Sequence, residues 1–187
     1  MNKALAHLHT INKHKVKVTY LCFRCHLYKQ GFLHDLSKYS YIELKTGFHY
    51  YQGFRSPIDA EKEEKGYSLG WLHHKGRNKH HFQYWVDLAL PQQAIIMPYK
   101  YAAEMVCDQL AAGIIYSGDK WTKEYQLNYY MNRESKNIIH PQIDKYLKEI
   151  FTQVSQNGID ATLTKKNIRE IYDKYCVRME NLDENKI

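Results

Sequence analysis

The sequence lacks any apolar run approaching the ~18 to 20 residues that a membrane span requires. It also lacks a convincing strand, because no stretch outside its helical segments sustains the alternation of a half-buried strand. Cysteine is scarce. Cys22, Cys25, Cys107 and Cys176 are too few and too scattered for a disulfide scaffold in a chain of 187 residues. Cys22 and Cys25 form a CxxC, but it lies inside a helical apolar pattern without a second pair. A zinc ribbon needs four ligands and a thioredoxin-like site needs a preceding strand, so both cysteines read as reduced residues near the core. A cytoplasmic location is the matching expectation. Met1 to Thr10 offers only a broken apolar stretch before Lys13, His14 and Lys15, unlike a signal peptide. Repeat, collagen-like and low-complexity patterns are missing as well.

What is present has ordinary globular proportions, 44% apolar and 25% charged, which argues against disorder. The length favours one domain, or one with a small appendage, and suffices for a real core. The formal charge is +7, yet Lys and Arg are spread without the dense stripe of a dedicated nucleic-acid binder. Lys13, Lys15 and Lys17 alternate along a helix and read as solvated. Lys75, Arg77 and Lys79 border a histidine-rich turn and suit an anionic small molecule.

The periodicity predicts an all-α fold. A long first helix is expected from Thr10, a candidate N-cap, to Gly31, followed by a short turn over residues 32–38. A second should start at Ser40, with Glu43 three residues on as a capping box, and stop before Gly53. Ser56 and Pro57 open a third that continues past Trp71 to His74. Pro98 starts a strongly apolar fourth. Three more are expected over about Thr122 to Glu134, Pro141 to Gln156 and Thr164 to Arg178, with a break at Asn157 and Gly158.

Eleven histidines stand out, several of them paired or beside an acid. His14, the adjacent His34 and Asp35, His74, the pair His80 and His81, and Asp108 fall on different predicted helices or the loops after them. Only a folded bundle could gather them, and inward imidazoles and carboxylates from several helices are what a metal in a helical bundle requires. Consecutive helical residues point about 100° apart, so His34 and Asp35 can share a centre only at a helix edge or across a metal pair that Asp35 bridges. Asp108 sits among Val106, Cys107, Leu110 and Ala111, where a carboxylate needs a partner. His74 is favoured over His73. His7, His9, His49 and His140 have no such context and read as surface or packing residues.

This ordered pattern resembles the HD superfamily of metal-dependent phosphohydrolases. It runs from His14-Lys15-Val16 through His34-Asp35-Leu36-Ser37-Lys38 and the later histidines to Glu104 and Asp108. More narrowly it resembles an uncharacterised HD-like bacterial and phage family, a domain of unknown function, over roughly residues 10–115. The resemblance implies an HD-like helical bundle over residues 1–118, leaving a C-terminal helical extension over 119–179 packed on it and a frayed tail over 180–187. It implies His14, His34, Asp35 and Asp108 as metal ligands, with His74 and one or both of His80 and His81 completing a second site. His26 stands as an alternative first ligand. Two divalent ions are expected, of Fe, Mn, Mg, Zn, Co or Ni.

A metal pair activates water and stabilises phosphoryl charge, so the expected activity is hydrolysis of a phosphate ester such as a nucleotide. Asp35, Lys38 and Glu104 are the candidate catalytic residues. Glu104, one turn before Asp108, would orient a ligand or accept a proton. Lys38, Lys75 and Arg77 are the candidate substrate-binding residues, and the aromatic stretch Phe82, Tyr84 and Trp85 suits either stacking of a base or, more commonly, packing. Two rivals stand beside this reading: an HD-fold di-iron oxygenase, and an inactive binding protein of the same fold. A homodimer is compatible with either.

Overall fold

A computed structural model describes residues 2–132 and 138–176, and the described residues form nine α-helices and three short 3-10 turns without a strand. The fold is all-α. The tail over 180–187, and the ends proposed at Glu134 and Arg178, lie outside the described residues.

Helix α1 (Lys3–Arg24) starts before the predicted N-cap: Asn2 Oδ1 accepts the Ala4 amide at 2.9 Å. Thr10 Oγ1 instead donates to the Ala6 carbonyl within the helix, at 3.1 Å. The expected run to Gly31 breaks at Cys25, and α2 (Tyr28–Leu33) follows. After a 3-10 turn (Leu36–Tyr39) comes α3 (Tyr41–Tyr50). The single helix expected from Ser56 to His74 is two, α4 (Pro57–Lys65) and α5 (Leu69–Arg77). Gly66 ends α4 in the left-handed region at φ 78°, a conformation that only glycine adopts freely, and Ser68 then caps α5 by accepting from the Trp71 amide.

Helix α6 (Tyr99–Ser117) is followed by α7 (Tyr125–Asn132), α8 (Pro141–Thr162) and α9 (Lys165–Tyr175). The predicted break at Gly158 is a kink, and α8 carries on past it to Thr162. Thr164 caps α9, its hydroxyl accepting from the Asn167 amide at 3.2 Å.

The apolar core joins Val18, Leu21 and Cys22 of α1, Met105, Val106 and Leu110 of α6, Ile143, Leu147 and Ile150 of α8, and Ile168 and Tyr172 of α9. Helix α1 therefore divides its labour along one stripe. Its second half feeds this core, and its first half turns His7, Ile11 and His14 inward elsewhere. Helix α6 divides around its circumference, sending Glu104 and Asp108 toward the same region as His14. Helices α3, α4 and α5 close that region from the other side. Gly47 of α3 permits the approach, since a Cβ there would collide with the His7 imidazole. No described helix is long and apolar enough to cross a membrane.

Candidate metal centre

His34 is the C-cap of α2, and Asp35 is the residue on which the 3-10 turn begins. Asp35 has φ 53°, in the left-handed region, which Asp visits more readily than most residues but at a cost. The Lys15 ammonium secures the turn by donating to the Phe32 and His34 carbonyls at 2.9 and 2.8 Å. The adjacent pair thus leaves its helix at the edge, and both side chains face one centre.

That centre gathers residues from five places in the chain. Four form one ligand set: His14 from α1, His34 and Asp35 from the turn, and Asp108 from α6. His74 from α5 and His80 and His81 from the following loop form a second set with Asp35. Within each set, one ligand atom per residue lies within 4.8 Å of every other. Asp35 belongs to both: its Oδ2 is 3.3 Å from His34 Nε2, and its Oδ1 is 3.3 Å from His74 Nε2 and 3.4 Å from His80 Nε2. Asp108 Oδ1 lies 2.9 Å from His14 Nε2 and 3.4 Å from His34 Nε2. His26, the alternative first ligand, is exposed in the turn after α1 at φ 58° and belongs to neither ligand set.

The rings are held from behind. Glu104 Oε1 is 2.9 Å from His34 Nδ1 and 3.1 Å from His80 Nδ1. Glu43 Oε2 is 2.7 Å from His74 Nδ1, and its Oε1 is equally close to His73 Nδ1. Each carboxylate accepts the Nδ1 proton and leaves Nε2 of the held ring facing inward. Glu43 was expected in a capping box at Ser40, but the Ser40 hydroxyl makes no capping bond. A visible signal was its place on the buried stripe Glu43, Thr46, Gly47, Tyr50, where a carboxylate needs a partner.

Buried polar atoms normally have hydrogen-bond partners. Here His34 Nε2, Asp35 Oδ1, His80 Nε2 and His81 Nε2 are buried and have none. Orphaned nitrogen and oxygen donors that converge from separate elements fit a divalent metal. Burial opposes charge on His34, yet Asp35, Asp108 and Glu104 hold its imidazole well above the usual range, so a metal would displace a proton from it. Burial opposes charge on Asp35 and Asp108, yet the surrounding imidazoles and Lys38 hold both carboxyls well below their usual range. Burial and the neighbouring His80 and His74 push His81 far down, so it stays neutral as a ligand must.

Lys38 Nζ is 2.6 Å from Asp35 Oδ2 and lines the cavity of about 210 Å³ that opens over the cluster. A larger cavity of about 450 Å³ adjoins it, and Ile58, Trp71, His81, Asp108 and Tyr116 line both. Lys75 and Arg77 do not reach this cleft. Helix α5 spends its inward face on Gly70 and His74, which leaves Lys75 half-buried, while Arg77 lines a separate cavity behind His80 and Glu104. Arg55 and Lys62 line the larger cavity in their stead. His7, expected to be a packing or surface residue, lines the smaller one. Of the aromatic stretch, only Phe82 meets the cleft, while Trp85 is buried in the core and donates its indole N–H to the Lys79 carbonyl.

The chain belongs to a family of unknown function (DUF5662), whose model matches residues 3–153. No curated protein and no solved structure matches it. The match holds every residue of the cluster and runs well past the 10–115 expected, through α7 and into α8.

Proposed function

We propose that the protein is a metal-dependent phosphohydrolase of HD type acting on a phosphate ester. The supporting observation is the convergence of the unpartnered His34 Nε2, His80 Nε2 and Asp35 Oδ1 on one centre, with the opposite nitrogen of both rings tied to Glu104. His14, His34, Asp35 and Asp108 would hold one ion, and His74, His80 and His81 would hold a second with Asp35 shared between them. The imidazole-rich donor set favours a transition metal over Mg. Bound there, a pair of ions supplies Lewis-acid polarisation of phosphoryl oxygens and lowers the pKa of water.

The chain's own groups complete the site. Lys38, at the floor of the cleft, holds a phosphate by its point charge. Burial raises the Tyr116 phenol above its usual range, so it remains a hydrogen-bond donor facing the same space. Glu43 and Glu104 act as positioning residues through the imidazoles they hold.

Elemental analysis of protein purified without chelators, paired with a screen of phosphate esters, tests this. The reading expects stoichiometric metal and hydrolysis of at least one ester. Protein without metal under loading conditions would overturn it. Loaded protein that hydrolyses none of the esters but consumes dioxygen, with iron spectra that differ between anaerobic and aerobic samples, would replace it with the oxygenase.

A further inference from the structure

The larger cavity borders the ligand cluster at His81 and Asp108 and is continuous with its cleft, and its walls are unlike those of a packing defect. Helix α6 presents one face to it at three- and four-residue spacing: Met105, Gln109, Gly113 and Tyr116. Asp108, on the same face, is the point where cluster and cavity meet. Helix α7 contributes Tyr125 and Gln126, and the turn after α5 contributes Phe82 and Gln83. Aromatic faces and side-chain amides therefore alternate around one space.

The amides are built in. Gln126 is only 2% exposed, and its Nε2 donates to Gln109 Oε1 at 3.4 Å, a long bond that a better acceptor can displace. Gln83 Oε1 is buried without a hydrogen-bond partner, which is costly unless something brought into the cavity donates to it. Gly113 lets α7 come this close. A Cβ there would stand 3.0 Å from Gln126 Oε1 and 3.2 Å from the Tyr125 ring. The volume of about 450 Å³ is that of a small-molecule site, which is typically concave, largely apolar and armed with a few placed polar groups.

We infer that this cavity seats the organic portion of the substrate, and that Gln83, Gln109 and Gln126 select a planar heterocycle with hydrogen-bonding edges, of the nucleobase class. The assignment rests on the phosphohydrolase reading for what lies next door, since a phosphoryl group at the cluster would place the rest of its ester in this cavity. Rings without polar edges leave Gln83 Oε1 unsatisfied and gain nothing from the Gln109–Gln126 pair, and that supplies the discrimination.

Calorimetric titration of the full chain with adenosine, guanosine, cytidine and uridine, against ribose as the baseless control, tests the cavity without any hydrolysis. At least one nucleoside should bind at least ten-fold more tightly than ribose. Gln109→Leu and Gln83→Leu should each weaken that nucleoside ten-fold or more, while circular dichroism reports a wild-type fold. Failure of all four nucleosides to outdo ribose, or wild-type affinity in both folded variants, overturns the inference. Hydrolysis of ribose 5-phosphate as efficiently as of nucleoside 5′-monophosphates overturns it too, with the phosphohydrolase reading intact. Nucleoside binding in a loaded protein that hydrolyses no ester keeps the cavity and removes the hydrolase.

Discussion

Glu104 Oε1 stands 2.9 Å from His34 Nδ1, on the ring edge opposite the nitrogen that faces Asp35. The same oxygen is 3.1 Å from His80 Nδ1, so one carboxylate orients an imidazole from each ligand set. Such outer contacts tune ligand basicity and ring angle. Glu104→Gln should therefore lower metal affinity about 10- to 100-fold in a folded protein. Competition titration against a chelator of known affinity measures this, and unchanged affinity would remove Glu104 from the site.

Asp35 and His140 offer a paired comparison. Asp35 is shared by both ligand sets, so Asp35→Ala should abolish metal binding altogether rather than halve it. His140 is the N-cap of α8, its Nδ1 accepting the Gln142 amide at 3.2 Å. His140→Ala should keep the full metal content and lose about 1 kcal/mol of stability. Elemental analysis and thermal melts on the two variants check both statements.

Lys38 lines the cleft beside Asp35 without belonging to either ligand set. Lys38→Met removes the charge and keeps much of the stem. Metal content should persist, while kcat/KM for a phosphate ester falls about 100-fold, the scale of losing one charged stabilising group. A loss of metal in step with activity would assign Lys38 to the ligand scaffold instead.

His7 gives a pH signature. Burial and the Lys38 charge push its imidazole down to about 4, with Phe48 and Tyr51 as its ring neighbours. The unfolded chain takes up this proton near pH 6.5, so unfolded protein binds more protons between about pH 4 and 6.5. Stability from this group is complete above that window and drains away as pH falls through it. Its full extent is at most about 3 kcal/mol. Denaturant unfolding of His7→Gln across this range should show a flatter decline than wild type, and superimposable slopes would contradict the assignment.

Much of this centre was legible before any coordinates. His34 and Asp35 could be read because adjacent residues share a target only at a helix edge, and the α2 terminus is such an edge. Asp108 could be read because a carboxylate among Val106, Cys107 and Leu110 must be compensated. The all-α class followed from periodicity. Other features hid behind a satisfactory local explanation. Glu43 looked like a capping residue, and His7 had no acid beside it in sequence. Lys75 and Arg77 looked apt because they flank His74 in sequence, yet helical rotation turns neighbours to different faces. The division of α4 from α5 turned on Gly66, whose left-handed φ is set by the chain path and not by periodicity. Trp85 takes the packing role that such aromatic stretches more commonly have, and an aromatic run does not say which rings the core will claim.

Connections between helices ordinarily absorb inserted or deleted residues without harm. The junction between Leu33 and Leu36 is not of that kind. It is two residues long, its second member sits at φ 53°, and both of its side chains have assigned destinations, His34 between Glu104 and Asp108 and Asp35 between the two ligand sets. Adding or removing a single residue there would swing Asp35 out of register with α5 and α6 at once. The spacing of this corner cannot change, because it fixes where two families of imidazoles meet.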